Sequence, residues 1–239
     1  MAEAATVTEE ERAKFTAEAE AAHALAIKHK SEAAMADAQC VKLEHEIAMV
    51  AIDRAIKERN ERESLAQNRH HHVYAFNESV GAASVKSCID QLTQWMRLPN
   101  GTGPTPMEII FNSPGGEVVN GMALFDFIQV VRAAGHHVTT SSMGMAASMA
   151  GVLLQAGDLR IMGRQSYVLI HEIAYGAVGK IGEIEDTTKF AHMMQERILD
   201  IFAMRAKVTK PFIKRHWART DWWLSSDDCI KYGFVDQVR

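Results

Sequence analysis

From residue 73 to the end of the chain, two patterns of apolar residues alternate. Short apolar runs favour β-strands, and longer segments with an apolar residue every three to four positions favour amphipathic helices. The predicted strands cover residues 73–76, 107–111, 138–143, 159–162 and 167–170. The predicted helices cover residues 82–98, 119–134, 149–155 and 184–206. This alternation predicts an α/β domain with a mainly parallel sheet.

The first 66 residues have a different pattern. They contain no Gly or Pro and are rich in Ala, Glu, Lys and Arg, which favours one long helix. Thr8 and Glu11 fit a capping box at its start. The second half carries a loosely spaced stripe of large apolar residues: Leu43, Ile47, Val50, Ile52 and Ile56. We therefore predict a helical arm over residues 1–66 and a separate α/β domain over residues 67–239.

The arm has two interpretations. The apolar stripe suits a coiled coil or another form of self-association. Its spacing is too irregular to assign heptads, so a solvated helix without a specific partner is the alternative. At the arm's end, three adjacent histidines, residues 70–72, cannot all face one point on a regular element. A polar linker is favoured there over a metal site.

Charge and composition narrow the classes of binding partner and the expected cellular location. The net charge of −4 over 239 residues offers no strong field for nucleic acid or an anionic membrane. The sequence contains no run of about 18 apolar residues, so no membrane span is predicted. The polar, acidic N-terminus is unlike a signal peptide. Cys40, Cys88 and Cys229 are far apart in sequence, which indicates a reducing compartment. The cytoplasm is the expected location.

Ser148 is the first candidate for chemistry. Residues 144–151 read Gly-Met-Ala-Ala-Ser-Met-Ala-Gly, which places one serine among small residues between a predicted strand and a predicted helix. Backbone N–H groups and the positive end of a helix dipole lie at such a position. A nucleophile beside an oxyanion site is one interpretation. A serine that caps the helix is the other.

A second glycine-rich segment, residues 112–116, reads Asn-Ser-Pro-Gly-Gly and follows a predicted strand. Gly115 and Gly116 permit positive φ angles, so their N–H groups can point into a cleft. The segment suits an oxyanion or other anion site, and an ordinary strand–helix turn is the alternative. It is not a P-loop, because the lysine and the spacing are missing.

Two further residues suit proton transfer. His171 ends an apolar run, and an imidazole changes charge near neutral pH, as a general base requires. A structural histidine is its alternative role. Asp221 stands before two tryptophans, where burial would force it to find a cationic partner; a cap is its alternative role. Asp227 and Asp228 fit the first turn of a last helix, capped by Ser225 or Ser226.

Four segments together resemble the Clp protease proteolytic subunit (ClpP) family of serine peptidases over residues 73–238. The segments are NSPGGEVVNGMALFDFI, MGMAASMAGVLLQAGD, VLIHEIAYGAVGKIGEIED and DWWLSSDDCIKYGFVD. The resemblance implies a crotonase-like superhelix of ββα units. It also implies homo-oligomeric rings, as heptamers or tetradecamers, that cleave polypeptides with the help of a hexameric AAA+ unfoldase. No metal or cofactor is implied, because ATP is consumed by the unfoldase.

By this resemblance Ser148 is the nucleophile, His171 is the general base, and Asp221 orients the imidazole. Residues of the two glycine-rich segments complete the implied site. The oxyanion donors are the N–H groups of Gly116 and Met149, and an extended substrate lies along Gly115, Glu117 and Val118.

Two departures from the family pattern leave other functions open. Glu172 and Ile173 stand where the family usually has Gln-Pro, and the helical arm has no counterpart in typical members. Divergent members resemble phage-encoded capsid-maturation proteases, in which the arm would be a pro-segment or a scaffold contact. A non-catalytic assembly subunit and a crotonase-type acyl-CoA enzyme are the remaining alternatives.

Overall fold

The computed structural model describes residues 9–66, 71–97 and 103–239. The chain divides into two compact units, one that ends at Ser64 and one that begins at Leu65. Three sequence predictions fall outside the described residues: the cap at Thr8, the position of His70, and most of the loop near residue 100.

The N-terminal unit is one helix, α1 (Glu9–Leu65), of 57 residues, and no residue of it is buried. At about 1.5 Å per residue it is roughly 85 Å long. Its first turn holds three glutamates, which interact favourably with the helix dipole. Ion pairs four residues apart, such as Lys28–Glu32 and Arg54–Glu58, support it further. The prediction of a long N-terminal helix is confirmed.

The second unit is built on a seven-stranded sheet. The strands are β1 (Val73–Phe76), β2 (Met107–Ser113), β3 (Val138–Ala147), β4 (Leu159–Met162), β5 (Tyr167–Ile170), β6 (Trp222–Leu224) and β7 (Gln237–Val238). The order is β1-β2-β3-β4-β7, with β5 beside β3 and β6 beside β5. All pairings are parallel except that of β5 with β6. The predicted α/β fold with a mainly parallel sheet is therefore confirmed.

Helices between the strands pack against this sheet and against one another. They are α2 (Ala82–Arg97), α3 (Val118–Ala133), α4 (Met149–Leu154), α5 (Ile181–Arg205), α6 (Lys210–Trp217) and α7 (Ser226–Tyr232). The core contains large, fully buried side chains from most of these elements: Trp95, Phe111, Leu124, Phe202 and Trp217. The residues at the ends of the strands are thus supported by a close-packed core.

The central strand β3 changes partners along its length. Its first half pairs with β2 and β4, whereas Met145 to Ala147 pair with β5 in place of β4, and Ala146 still pairs with Ser113 of β2. The change occurs around Gly144, whose φ is +95° and whose N–H donates to Ser166 Oγ over 2.9 Å. Glycine adopts this positive φ without steric cost. The end of β3 is thereby brought beside β5, where the candidate site lies.

Several element boundaries differ from the sequence prediction. The strand predicted to end at residue 143 continues to Ala147, because the small residues of its second half pair with β5. The short strands β6 and β7 and the helix α6 were not predicted. Ser225 caps α7, since its hydroxyl accepts from the Asp228 N–H and the Asp228 carboxylate accepts from the Ser225 N–H. That part of the prediction is confirmed.

A buried ion-pair network ties the C-terminus to the sheet. The Arg160 side chain is only 2% exposed, and its Nη2 lies 2.6 Å from Asp236 Oδ1. Arg205 Nη2 lies 2.8 Å from the other oxygen of the same carboxylate. Burial alone would raise the pKa of Asp236, but the hydrogen bonds from Arg160 outweigh it and the pKa is lowered. The carboxylate is therefore held in its charged form.

Candidate active site

Ser148 lies at the sharp turn between β3 and α4. Its φ of +54° and ψ of −123° are unusual for a residue with a side chain. The Ser148 N–H donates to Leu169 O over 2.9 Å, which fixes the turn against β5. Although Ser148 occupies the N-cap position of α4, its hydroxyl makes no capping hydrogen bond. The capping alternative is therefore wrong, and the hydroxyl is available to another partner.

The Gly115-Gly116 turn packs directly against this serine. A Cβ added to Gly115 would lie 2.5 Å from Ala147 O and 2.6 Å from Ser148 Cβ. The φ angles of Gly115 and Gly116 are +87° and +150°. Both the space and the backbone conformation thus require glycine at position 115. The segment is more than an ordinary strand–helix turn, because it brings its backbone within contact of Ser148.

Hydrogen bonds to Val80 hold the same turn from the other side. The Val80 N–H donates to Gly115 O, and the Glu117 N–H donates to Val80 O, both over 2.8 Å. A Cβ at Gly116 would lie 2.2 Å from Val80 O. Beside the turn, Met149 is the first residue of α4, and N–H groups in the first turn of a helix have no acceptor within that helix. Two backbone segments with N–H groups thus flank the serine.

His171 is the first residue after β5, and its Nε2 lies 2.7 Å from Ser148 Oγ. The Ser148 hydroxyl donates this hydrogen bond when the imidazole proton is on Nδ1. Nδ1 faces Asp221, with 3.5 Å between it and Oδ1. The carboxylate favours that tautomer and would stabilise a charged imidazolium. The structure therefore brings together three side chains that are far apart in sequence.

Asp221 differs from the sequence expectation in its exposure. Its side chain is 65% exposed, so the predicted burial between aromatic residues is wrong. Trp223, one of the two tryptophans that follow it, is itself 50% exposed. A helix-cap role is also wrong, because β6 and not a helix follows Asp221. The carboxylate interacts with His171 at the rim of the site.

Glu172 has a contact that the sequence analysis missed. Its Oε2 accepts a hydrogen bond from the Arg219 N–H over 2.9 Å, although the two residues are 47 positions apart. Arg219 has a φ of +54°, and Asp221 follows two residues later. Glu172 thus connects the segment that carries His171 with the segment that carries Asp221. A local sequence pattern contains no signal for such a contact.

An apolar cleft of about 120 Å³ adjoins these groups. Its lining combines Ser148, His171 and Glu172 with apolar side chains of α4, α5 and β5: Val152, Ile170, Ile198 and Phe202. Both predicted oxyanion donors, Gly116 and Met149, line the cleft, and of the residues predicted to bind substrate Val118 does so. Gly115 is buried, and Glu117 is exposed, with its carboxylate accepting a hydrogen bond from Asn120.

Neither a metal site nor a membrane span is found in the described part of the chain. No group of three or more His, Cys, Asp or Glu side chains within residues 9–66, 71–97 and 103–239 is arranged to bind a metal ion. In the histidine run, the His72 ring packs edge-on against Trp95 at a centroid distance of 5.4 Å. None of the described helices combines the length and the apolar character that crossing a bilayer requires.

A serine hydroxyl is thus hydrogen-bonded to an imidazole at the mouth of an apolar cleft, on an α/β fold. This is the arrangement of the serine hydrolases. The family model described as Clp protease matches residues 64–239 of this chain. The chain therefore belongs to the Clp protease family, and the predicted ClpP-like fold is confirmed.

Proteins named as proteolytic subunits of the ATP-dependent Clp protease are similar to this chain. Subunit 2 of Tropheryma whipplei is 36% identical over 139 residues, which is 56% of this chain and 75% of that protein. The Deinococcus radiodurans subunit is 32% identical over 134 residues, 55% of this chain and 64% of that protein. Subunit 1 of Salinibacter ruber is 31% identical over 149 residues, 62% of each. The chain thus matches less than two thirds of two of these relatives.

Proposed function

We propose that this chain is a serine endopeptidase that hydrolyses peptide bonds of extended or unfolded polypeptides. Ser148, His171 and Asp221 form its catalytic triad in this proposal. The observation that carries it is the 2.7 Å contact between His171 Nε2 and Ser148 Oγ beside an apolar cleft. Membership of the Clp protease family supports the choice of a peptide bond as the substrate.

In the first step, Ser148 Oγ attacks the carbonyl carbon of the scissile bond while His171 Nε2 accepts the hydroxyl proton. The imidazolium then faces the Asp221 carboxylate, whose Oδ1 lies 3.5 Å from Nδ1. This distance is longer than a strong hydrogen bond, as is common for catalytic groups before substrate binds. The protonated His171 next donates its proton to the leaving amine, and an acyl-enzyme remains.

The negative charge on the substrate oxygen needs donors in place before the reaction. The N–H groups of Gly116 and Met149 take this role in the proposal, because the two backbone segments flank Ser148 on either side. Water then attacks the acyl-enzyme by the same route, with His171 again as the base. No metal or cofactor takes part in these steps.

Substrate recognition follows from the shape of the site. An extended peptide that lies along Gly115, Glu117 and Val118 would be held by main-chain hydrogen bonds, which accept many sequences. The adjoining cleft, with Val152, Ile198 and Phe202 in its lining, favours an apolar side chain next to the scissile bond.

The proposal includes assembly into a ring, as a heptamer or a tetradecamer, and delivery of polypeptides by an AAA+ unfoldase that consumes the ATP. Exposed apolar side chains along α5 and just before it support contacts between subunits: Val178, Ile181, Phe190, Met193 and Met204. The free, exposed Cys40 suits a reducing compartment such as the cytoplasm.

Active-site labelling tests this proposal. The assembled protein is treated with a fluorophosphonate, and the labelled peptide is located by mass spectrometry. We expect one label on Ser148, none in the Ser148→Ala variant, and full labelling in a Ser31→Ala control, since Ser31 is exposed on α1. Label on another serine, or equal labelling of Ser148→Ala, would contradict the proposal. The mass of the native assembly, measured on the same sample, tests the ring.

A further inference from the structure

A regular series of small and apolar residues follows α1 when alanine is counted with the larger apolar residues. Steps of four and three residues alternate without a break, as in the core of a coiled coil. We call this series the seam: Phe15, Ala19, Ala22, Ala26, His29, Ala33, Ala36, Cys40, Leu43, Ile47 and Val50. Every member except His29 is apolar, since a free cysteine behaves as a small apolar residue.

The seam is open to solvent within the chain. No residue of α1 is buried, and Phe15, Ile47 and Val50 are 73%, 68% and 69% exposed. Other large apolar residues of α1, such as Ile27 and Met35, lie off the seam, so hydrophobicity alone does not select a face. The unbroken spacing selects it. An isolated helix of this composition is stabilised when such a seam packs against another helix.

The sizes of the seam residues change along the helix. Ala19, Ala22 and Ala26 are small, whereas Leu43, Ile47 and Val50 are large. Two parallel copies would place alanine against alanine at one end and large residues against each other at the other end. The distance between helix axes depends on the side chains at the contact, so parallel copies would be pushed apart at that end.

An antiparallel arrangement removes this mismatch. When the crossing point lies between Ala33 and Ala36, Ala22 faces Ile47 of the second copy and Ala26 faces Leu43 of the second copy. These outer layers then combine one small and one large residue, and Ala33 faces Ala36 at the centre, so the two ends of the pair no longer differ in axis spacing. We propose that α1 docks antiparallel against α1 of a second copy of this chain, seam to seam.

The charged residues beside the seam favour the same arrangement. In this register Lys30 lies beside Asp37 of the second copy, and the twofold symmetry repeats that attraction. In the parallel register Glu32 would lie beside Asp37 instead, and the like charges would repel. The antiparallel register does place Glu18 beside Asp53 of the second copy, and these like charges repel. They lie at the outer ends of the helix pair, where salt screens the repulsion most.

An antiparallel pair of identical helices has a twofold axis through its centre. A seven-membered ring contains no such axis, so the paired arms would connect subunits of different rings. This consequence depends on the ring in the proposed function, whereas the pairing of α1 does not. Loss of peptidase activity and loss of arm pairing are therefore separate outcomes.

Disulfide formation in the full-length protein tests the register. In the antiparallel pair, residue 29 of one copy faces Cys40 of the other, and the two Cys40 residues lie about 16 Å apart, at about 1.5 Å per residue. Cys88 and Cys229 are buried; burial raises the pKa of both thiols, that of Cys229 to about 12, so they react little at neutral pH. Cys40 is thus the native thiol that the test uses.

Under a mild oxidant we expect His29→Cys to form covalent dimers, and the native chain to form few. Ser31→Cys is the matched control, because residue 31 is on the outer face of α1, and it should behave as the native chain does. His29→Cys combined with Cys40→Ser should lose the crosslink. Efficient crosslinking of the native chain would show a parallel pair, and absence of a His29→Cys crosslink would show no pairing in this register. Either result would overturn the proposal.

A second measurement does not depend on thiols. Ala33→Glu places a charge at the centre of the seam, whereas Ala34→Glu places the same charge one residue away, off the seam. Both substitutions are in an exposed helix and leave the second unit of the chain unchanged. We expect Ala33→Glu alone to reduce the mass of the native assembly. Equal masses for native, Ala33→Glu and Ala34→Glu proteins would contradict docking through the seam.

Discussion

His171 and Asp221 lie opposite each other, one position beyond the antiparallel pairing of β5 with β6. That pairing matches Leu169 with Trp223 and Ile170 with Trp222, so the same register continues to His171 and Asp221. Directly opposed residues on antiparallel strands project their side chains from the same face of the sheet. Together with the pairing of Ala147 with Leu169 between β3 and β5, this register brings Ser148 to the imidazole. The sheet itself thus assembles the site.

The role of Asp221 predicts a defect in turnover. Asp221→Asn keeps the size of the side chain but removes the charge that favours a proton on Nδ1 of His171. We expect kcat to fall by about 10²–10⁴ with little change in KM. Steady-state hydrolysis of a fluorogenic peptide measures this. Asp227→Asn, in the first turn of α7, is the control. A kcat for Asp221→Asn equal to that of the native protein would remove Asp221 from the mechanism.

Glu172 is expected to position Asp221 through Arg219. Glu172→Ala removes the acceptor of the Arg219 N–H, so the segment before Asp221 loses one anchor and kcat should fall by about tenfold. Glu172→Gln retains an acceptor oxygen and should preserve most of the activity. Glu185→Ala, on the exposed face of α5, is the control. If Glu172→Gln is as impaired as Glu172→Ala, the charge rather than the hydrogen bond matters, and the positioning role fails.

Gly115 should tolerate no side chain. Gly115→Ala would place a Cβ 2.5 Å from Ala147 O and 2.6 Å from Ser148 Cβ, in a backbone conformation with a φ of +87°. We expect it to displace the turn and to reduce fluorophosphonate labelling of Ser148 by at least about tenfold. A Cβ at Gly182 in α5 would meet no atom within 4 Å, so Gly182→Ala should label normally. Normal labelling of folded Gly115→Ala would contradict the packing described above.

The ion pair between Asp236 and Arg160 predicts how stability depends on pH. The pKa of Asp236 is lowered in the folded chain, so the pair stabilises the fold above the unfolded pKa of about 3.9. This contribution is lost as the pH falls through the folded pKa. Asp236→Asn should therefore lower the Tm at pH 7 and flatten the decline of the Tm below pH 4, as thermal unfolding monitored by circular dichroism would show. If the Tm of this variant declined below pH 4 as steeply as that of the native protein, the prediction would be contradicted.

Asp236→Ala should be more damaging than Asp236→Asn. It leaves the Arg160 guanidinium, which is only 2% exposed, without its carboxylate. Removal of one partner from a buried pair costs about 3–5 kcal/mol. Because Asp236 is itself 29% exposed, we expect a loss of about 3 kcal/mol in the free energy of unfolding. Asp227→Ala, on the surface, should change that free energy little.

The sequence predicted those parts of the structure that depend on local pattern. The strands over 159–162 and 167–170 have the predicted bounds, because their apolar runs end at polar or glycine residues. Ser148 and His171 were found from their places at strand ends. The long helix of the arm follows from its lack of Gly and Pro.

The remaining features depend on contacts between distant residues. The second half of β3 is rich in small residues with weak strand preference, and its pairing with β5 makes it a strand. β6 has only three residues, so its alternation is too short to recognise. The exposure of Asp221 and the contact of Glu172 with Arg219 depend on how β5 and β6 pair. No local pattern encodes either.

Cleavage of a peptide by the Ser148→Ala variant tests the central claim most directly. Native protein and variant are assembled in parallel and given a fluorogenic peptide with an apolar residue before the scissile bond. We predict that the native protein cleaves it and that Ser148→Ala cleaves it at least about 10⁴-fold more slowly. Equal cleavage by a Ser148→Ala variant of the same assembled mass would show that another group is the nucleophile, and the account of this site would be wrong.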